Sequence, residues 1–148
     1  MRVLLDTNIL ARQSQPDHAL HSPTVQALER LHSDGNELRV VPQVLYEHWA
    51  VATRPVSERG LGLTIEQASL RVAGFRQLFP LLRDERRVYE ASEQLVQANR
   101  VHGKTSHDAR LVAAMQRHGL THILTFNRAD FERHPGITVL EPQRVVSV

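Results

Sequence analysis

The chain has 148 residues, 41% of them hydrophobic and 5% aromatic, which predicts a single domain over residues 1–148 with a substantial core. It contains no cysteine, and this excludes disulfides, thiolate zinc sites and cysteine nucleophiles. No apolar stretch approaches membrane-spanning length and the N-terminus lacks a signal-peptide pattern, so we expect a cytoplasmic protein with no membrane partner.

The basic side of the charge balance is almost entirely arginine. The formal net charge is only +2 and the pI is about 9.7, yet Lys104 is the single lysine among 18 basic residues. Guanidinium groups match phosphate oxygens in two-point geometry, which suits a nucleic-acid partner. A GC-rich source explains the same excess equally well, so the composition permits a phosphate-rich partner without requiring one.

Short β-like runs alternate with longer helical patterns, which is typical of a parallel sheet wrapped by helices. The first half predicts, in order, a strand at 3–5, a helix capped by Ser22-Pro23 and closed by Gly35, a strand at 38–41, a helix from Pro42 to Arg54-Pro55, and a loop at 56–63.

The second half continues the alternation. It predicts, in order, a helix opened by a capping box at 64–67 and ending at Phe79-Pro80, a short strand at 81–82, a helix capped by Asp84 and ending at 101–103, a helix capped by Thr105 or Ser106 and ending at His118-Gly119, and strands at 122–126 and 137–140.

Three acids occupy equivalent positions in these elements. Asp6 ends the first strand, Glu47 lies in the first turns of the helix after 38–41, and Asp108 lies in the first turn of the helix beginning near Ser106. Strand C-termini and the following helix N-termini share one edge of a parallel sheet, so we expect these carboxylates to crowd together. The strand at 122–126 delivers Asn127 and Asp130 to the same edge.

Such a cluster requires compensation, because neighbouring carboxylates repel and raise one another's pKa or bind a cation. An oxygen-only site without cysteine or paired histidines suits Mg²⁺ or Mn²⁺ rather than zinc. The reaction class that this pattern indicates is metal-assisted phosphodiester hydrolysis.

Each residue alone also has a purely structural interpretation. Asp108 would complement a helix dipole, and Glu47 would be a solvated helix residue. Asp6 would begin an Asx-type turn, and Asn127 and Asp130 would shape the turn after their strand. These interpretations are independent of one another. The order and placement of the residues, taken together, therefore favour a functional site.

The nine histidines do not form a metal-ligand pattern. We interpret His48 as a surface residue and His107 as a partly exposed residue at a helix start. No histidine is assigned a catalytic role.

Four segments in their order along the chain resemble the PIN domain, specifically the small toxins of the VapC family. They are Leu4-Leu5-Asp6-Thr7-Asn8-Ile9-Leu10, Val44-Leu45-Tyr46-Glu47, His107-Asp108-Ala109-Arg110-Leu111-Val112-Ala113-Ala114 and Ile123-Leu124-Thr125-Phe126-Asn127-Arg128-Ala129-Asp130-Phe131.

The resemblance implies an α/β fold, a three-layer α/β/α sandwich with a small, mainly parallel sheet, and a Mg²⁺-dependent ribonuclease site. Asp6 and Asp108 would ligate the metal, and Glu47 would complete the acidic triad by binding the metal or ordering its water. The position of a fourth family acid is Asn127, which cannot supply a negative charge, so Asp130 would take that role or anchor the turn. Asn8 would hold Asp6 in position.

Family members of this size usually act as toxins that a small antitoxin neutralises. The resemblance therefore implies RNA, often transfer RNA, as substrate, together with an antitoxin partner and a homodimer. Candidates for holding RNA phosphates are arginines near the predicted edge, although for any one of them a surface position or a partner contact is the stronger interpretation. They are Arg12, Arg54, Arg110 and Arg128.

Two other functions compete with this one. A phosphatase of the haloacid-dehalogenase type also begins with a strand ending in an acid, but needs a second acid two residues later, where this chain has Asn8. The alternative is a PIN-like RNA- or protein-binding module with a weakened site, which Asn127 favours and the intact Asp6, Glu47 and Asp108 disfavour.

Overall fold

A four-stranded sheet, parallel throughout, forms the centre of the computed structural model, which describes residues 1–148. The strands, arranged in the order β2-β1-β3-β4, are β1 (Arg2–Leu5), β2 (Glu37–Arg39), β3 (His122–Leu124) and β4 (Thr138–Leu140). Strands β1 and β3 are central and in register, with Leu5 opposite Leu124. The residues that follow them therefore emerge side by side.

Eight helices flank the sheet, so the predicted three-layer α/β/α sandwich is confirmed. They are α1 (Thr7–Gln13), α2 (His21–Ser33), α3 (Pro42–Thr53), α4 (Ile65–Leu78), α5 (Arg86–Ala98), α6 (Thr105–His118), α7 (Arg128–Phe131) and α8 (Pro142–Val146). Helix α2 packs on α8, α1 packs on α3, and α5 packs along α6. None of these helices is long and apolar enough to cross a membrane.

The strand β1 is apolar because it is covered on both faces. Val3, Leu4 and Leu5 have no exposed surface, and Ile123 and Leu124 on β3 are buried equally deeply. A continuous apolar run is what a central parallel strand requires. Truncating any of these leucines to alanine would cost about 2–5 kcal/mol of stability.

The strands and helix boundaries differ from the predictions in detail. Helix α2 begins at His21, so Ser22 and Pro23 lie inside its first turn and Leu20 occupies the cap position. The predicted strand at 81–82 is a single bridge between Leu81 and Val40. The sequence patterns missed α1, α7 and α8, which are short and directly follow strands or turns.

Of three predicted helix N-caps, one is confirmed and two are wrong. The capping box of α4 is present, with Thr64 accepting from the Gln67 backbone and Gln67 from the Thr64 backbone. Asp84 does not cap α5, which begins after Glu85, because its carboxylate is paired with Arg110. Neither Thr105 nor Ser106 caps α6. Both lie inside the helix, and Lys104 precedes it without a side-chain capping bond.

The loop after α3 is fixed to the end of that helix. Gly62 donates to the carbonyl of Arg54 at 2.9 Å, and a Cβ at Gly60 would lie 1.9 Å from that oxygen. Only glycine fits at position 60 without moving the backbone. The close approach holds Arg54 at the end of the helix that carries Glu47.

His48 is fully buried, and its predicted surface position was wrong. Its ring packs edge-on against Phe75 at a centroid distance of 4.9 Å, and its Nε2 lies 3.2 Å from the hydroxyl of Ser14. Burial lowers its pKa to about 4, and the charge of Arg71 acts in the same direction. A neutral imidazole joins α1, α3 and α4 in the core.

Candidate functional site

Asp6 lies immediately beyond β1 and is 6% exposed. It is the N-cap of α1, because its Oδ1 accepts from the backbone N–H of Thr7 at 2.7 Å. Its own N–H donates to the carbonyl of Leu124, which continues the pairing of β1 with β3. The carboxylate is therefore fixed at the edge where the two central strands end.

The second oxygen of Asp6 is held by side chains from both strand ends. Thr125 Oγ1 donates to Asp6 Oδ2 at 2.7 Å, and Asn8 Nδ2 donates to the same oxygen at 3.3 Å. Asn8 also donates to Thr125 Oγ1 and accepts from the backbone N–H of Phe126. Thr125 is completely buried. This arrangement orients Asp6 without a cation.

Glu47 lies in the second turn of α3, half-buried, and both of its oxygens accept hydrogen bonds. Thr7 Oγ1 donates to Oε2 at 2.6 Å, which connects the carboxylate to the residue that follows Asp6. Gln43 Nε2 donates to Oε1 at 2.9 Å from one turn earlier in α3. Glu47 is thus tied to the same edge through Thr7.

Gln43 connects Glu47 to α6. It is buried, and its Nε2 also donates to the carbonyl of His107 at 2.8 Å. Arg110 Nη1 donates to Gln43 Oε1 at 2.9 Å, while Arg110 Nη2 binds both carboxylate oxygens of Asp84 at 2.9–3.0 Å. The amide is thereby fixed in one orientation, with its NH₂ toward Glu47.

Asp108 projects from the first turn of α6, half-buried, and accepts no hydrogen bond from the protein. Asp130 lies in α7, also half-buried, in the turn after β3. Asn127 is exposed; its backbone N–H donates to Thr125 Oγ1 at 3.0 Å, and its side chain makes no capping bond to α7.

The four carboxylates act on one another electrostatically. Burial raises the pKa of Asp6 to about 6, and the charges of Glu47 and Asp130 add to that rise while its hydrogen bonds oppose it. Burial likewise raises the pKa of Asp108 to about 6. Asp130, Asp6 and Glu47 reinforce the second shift, and Arg133 opposes it.

The sequence predicted that these acids crowd together, and the structure brings them only within electrostatic reach. No three acidic or histidine side chains lie close enough to hold one ion between them. The oxygens of Asp6 and Glu47 are turned onto protein donors instead. As a donor set, four carboxylates, of which Asp6 and Asp108 have raised pKa values, still fit Mg²⁺ or Mn²⁺, which often bind through one or two carboxylates and retain water.

The four predicted phosphate-binding arginines differ in their availability. Arg110 is paired with Asp84, and Arg128 is paired with Glu132 at 2.8 Å. Arg12 Nη1 donates to Gln15 at 2.7 Å. Arg54 is exposed and forms no ion pair, and it lines a cavity of about 710 Å³ together with Glu47.

Sequence reasoning missed the residues that hold the acids. Thr125 and Gln43 were not singled out, and Thr7 was noted only as part of the opening motif. A signal for Gln43 exists in its i, i+4 spacing to Glu47 on one helix face. Thr125 had no comparable signal, since its contact to Asp6 joins residues 119 positions apart.

Comparison with known proteins gives one family and a consistent fold. The family model for the PIN domain matches residues 3–137. No curated protein sequence matches the chain.

Solved structures share the architecture at low sequence identity. VapBC2 from Rickettsia felis, bound to a DNA fragment from its promoter, has a TM-score of 0.70 at 16% identity, covering 95% of this chain and 98% of that one. VapBC-1 from nontypeable Haemophilus influenzae gives 0.70 at 14%, covering 96% and 98%. VapC20 from Mycobacterium tuberculosis, a toxin that cleaves the sarcin-ricin loop, gives 0.61 at 19%, covering 86% and 92%.

Proposed function

Because this chain belongs to the PIN domain family, we propose that it is a divalent-metal-dependent endoribonuclease and the toxin of a toxin–antitoxin pair. The observation that carries the proposal is the mutual repulsion of the acids at one sheet edge. Asp6 and Asp108 come from distant parts of the chain, and the charges of Glu47 and Asp130 act on both. Repelling carboxylates persist at one edge when a cation compensates them.

Some of these residues would bind the metal, and others would orient the metal ligands. Asp6 and Asp108 would ligate Mg²⁺ or Mn²⁺, with Asp130 as a weaker further ligand. Glu47 would bind the metal or accept a proton from an attacking water, and Asn8, Thr7 and Asn127 would support the site. A bound cation supplies neutralisation of phosphate charge and a water of lowered pKa.

An RNA substrate is supported by the charges beside the acids. Arg54 and Lys104 line the cavity next to Glu47, and neither forms an ion pair. Exposed Tyr46 lines the same cavity and offers a ring on which a base can stack. One solved relative is described as a toxin that cleaves the sarcin-ricin loop, and transfer RNA is the expected substrate class from the resemblance.

A protein partner is supported by the relatives and by an apolar groove. The solved VapBC structures are toxin–antitoxin complexes, and a groove of about 580 Å³ lies between α2 and the end of α4. Leu28, Leu78 and Phe79 line it. An antitoxin segment would cover such a surface, whereas the predicted homodimer and cytoplasmic location stay predictions.

The test of the enzymatic proposal is Asp108→Asn and, separately, Asp6→Asn. We expect each to reduce Mg²⁺-dependent cleavage of total RNA at least about 100-fold, because each removes a charge that holds the cation. Exposed Asp17→Asn is the matched control and should cleave like the wild type. RNA ends are mapped by sequencing after incubation with and without Mg²⁺.

Two results would contradict the proposal. Wild-type cleavage rates in both site variants would remove the acids from the mechanism. RNA binding by the wild-type protein without cleavage in Mg²⁺ or Mn²⁺ would favour the weakened binding module instead.

A further inference from the structure

A second cavity of about 450 Å³, which Glu47 does not line, opens beside the first turn of α6. It lies between the end of α5, the start of α6 and the segment after α7. Arg100, His102, Arg133 and His134 line it, and Val101 is its single apolar residue. We call these four residues and the space between them the basic cavity.

The two arginines of the basic cavity are free of counter-ions. Neither Arg100 nor Arg133 lies within 4.0 Å of a carboxylate, whereas Arg110, Arg117 and Arg128 are all ion-paired. Two uncompensated guanidinium groups around one cavity repel each other. An anion placed between them would relieve that repulsion.

One further feature of the cavity is unexplained by packing. His134 is 5% exposed, and its Nε2 has no hydrogen-bond partner. The left-handed φ of +50° at Arg100, in contrast, belongs to the end of α5, where Arg100 donates to the Gln97 carbonyl and Val101 donates to the Val96 carbonyl. The unpaired buried nitrogen of His134 motivates a search for a ligand.

The basic cavity adjoins the acids through the first turn of α6. Thr105 in that turn lines the basic cavity, and His107 in the same turn lines the cavity that contains Glu47. Asp108 lies next to His107. The charge of Arg133 opposes the rise in the pKa of Asp108, so the guanidinium is within electrostatic reach of that carboxylate.

We propose that the basic cavity binds a phosphate group of the RNA strand that the acids cleave, next to the scissile phosphodiester. This inference rests on the proposed nuclease function and adds a substrate subsite to it. Guanidinium forks bind phosphate oxygens in two-point contacts. An acidic peptide is disfavoured because the cavity has a single apolar lining residue and offers no pocket for a folded segment.

The test is Arg100→Gln, measured first by RNA binding without cleavage. A labelled single-stranded RNA is titrated with protein in chelator at several salt concentrations. Losing one phosphate contact should weaken binding several-fold and reduce the slope of log K against log salt by about 0.7. Exposed Arg87→Gln, at the far end of α5, carries the same charge change and should match the wild type.

Cleavage then separates the subsite from the acids. Arg100→Gln should raise KM for RNA and leave metal-dependent hydrolysis of bis(p-nitrophenyl) phosphate unchanged, because that small diester reaches only the acids. Inorganic phosphate should compete with RNA for the wild-type protein and less for the variant. Competition without any change in the RNA salt slope would mean a free-anion site and overturn the RNA assignment.

Wild-type protein that cleaves neither RNA nor the small diester contradicts the nuclease function. Wild-type protein that cleaves both, with Arg100→Gln binding RNA at the wild-type salt slope, overturns the subsite alone. Binding of an acidic peptide, lost in Arg100→Gln while RNA binding is retained, would reassign the basic cavity to a protein partner.

Discussion

Asp108 and Asp6 carry raised pKa values of about 6 in different settings. Asp6 accepts bonds from Thr7, Asn8 and Thr125, so it supports the fold as well as the proposed chemistry. Asp108 accepts none, and its burial, together with the charges of Asp130, Asp6 and Glu47, raises its pKa. Its ionised form therefore opposes folding in the absence of a cation, and the two residues should respond differently to neutralisation.

We predict that Asp108→Asn leaves the metal-free protein as stable as the wild type at pH 7, or more stable. A carboxyl whose pKa is raised on folding stabilises the fold while protonated, and this stabilisation is lost as pH rises from about 4 through 6. Because Asp108 is partly exposed, we expect about 1 kcal/mol at pH 7 after solvent screening. Thermal unfolding in chelator between pH 4 and 8 measures it.

The effect of Asp108 on stability depends on pH. Between pH 4 and 6 the melting temperature of Asp108→Asn should rise relative to that of the wild type. His48, whose pKa is lowered to about 4, contributes the opposite pH dependence to both proteins, so the difference between the two curves is the quantity measured. The control Asp17→Asn should follow the wild type. A marked loss of melting temperature for Asp108→Asn at pH 7 would instead indicate a structural role for this carboxylate.

Site residues could be predicted from the sequence where an acidic side chain occupies a defined position in a strand or helix. Asp6, Glu47 and Asp108 were identified because an acid after a buried strand or in a first helical turn is placed by the element around it. Thr125 and the burial of His48 were not predictable. Their contacts depend on which distant segments pack against them, which no local pattern encodes.

At the scale of elements, α3 and α6 are coupled through the amide of Gln43. It bonds Glu47 within α3, the His107 carbonyl at the start of α6, and the Arg110 guanidinium one turn later. Arg110 therefore has a structural use that competes with its predicted role in binding RNA. The orientation of Glu47 depends on how α6 sits beside α3.

We predict that Gln43→Leu destabilises the protein by about 1–3 kcal/mol, because it removes the side-chain hydrogen bond to the His107 carbonyl and leaves one Arg110 donor without its partner. It should also raise the Mg²⁺ concentration needed for half-maximal cleavage, because Glu47 loses one of its two donors. Denaturant unfolding and a Mg²⁺ titration of cleavage measure the two effects.

Exposed Gln97→Leu on α5 is the matched control, since Gln97 bonds only to Glu93 at 3.4 Å. It should change neither quantity. Loss of stability in Gln43→Leu with an unchanged Mg²⁺ requirement would show that Gln43 supports the fold without positioning Glu47.

Element types were predicted better than element ends. The long helices and the four sheet strands follow from apolar periodicity, but α1 was missed because Asp6-Thr7-Asn8 has the composition of a turn. Only the structure shows that Asp6 caps a helix there while bonding across to Thr125. A capping role and a site role are compatible in one carboxylate.

For the whole molecule, the strand order determines which acids meet. Placing β1 between β2 and β3 brings the end of β1 beside the start of α3 and the turn after β3. Alternation of strands and helices predicted a parallel sheet, yet not this order. The acids are therefore neighbours only in the folded chain, and a cation that bridges them would bind the folded state preferentially.

Preferential binding of a cation to the folded state should stabilise the intact protein. At pH 7.5, Mn²⁺ at about 100 times its dissociation constant should stabilise the fold by about 2.7 kcal/mol, raising the melting temperature by several degrees. At pH 5 the shift should be much smaller, because Asp6 and Asp108, with pKa values of about 6, are mostly protonated and cannot bind the ion.

Differential scanning calorimetry with Mn²⁺ or chelator at both pH values measures the effect, and Asp17→Asn should reproduce the wild-type result. The double variant Asp6→Asn with Asp108→Asn should show no Mn²⁺ shift at either pH, since its remaining acids, Glu47 and Asp130, carry too little charge at the sheet edge. An equal shift at pH 5 and 7.5, or one that persists in the double variant, would place cation binding elsewhere on the molecule. The pH dependence thus identifies the acids of the sheet edge as the binding groups independently of any RNA cleavage.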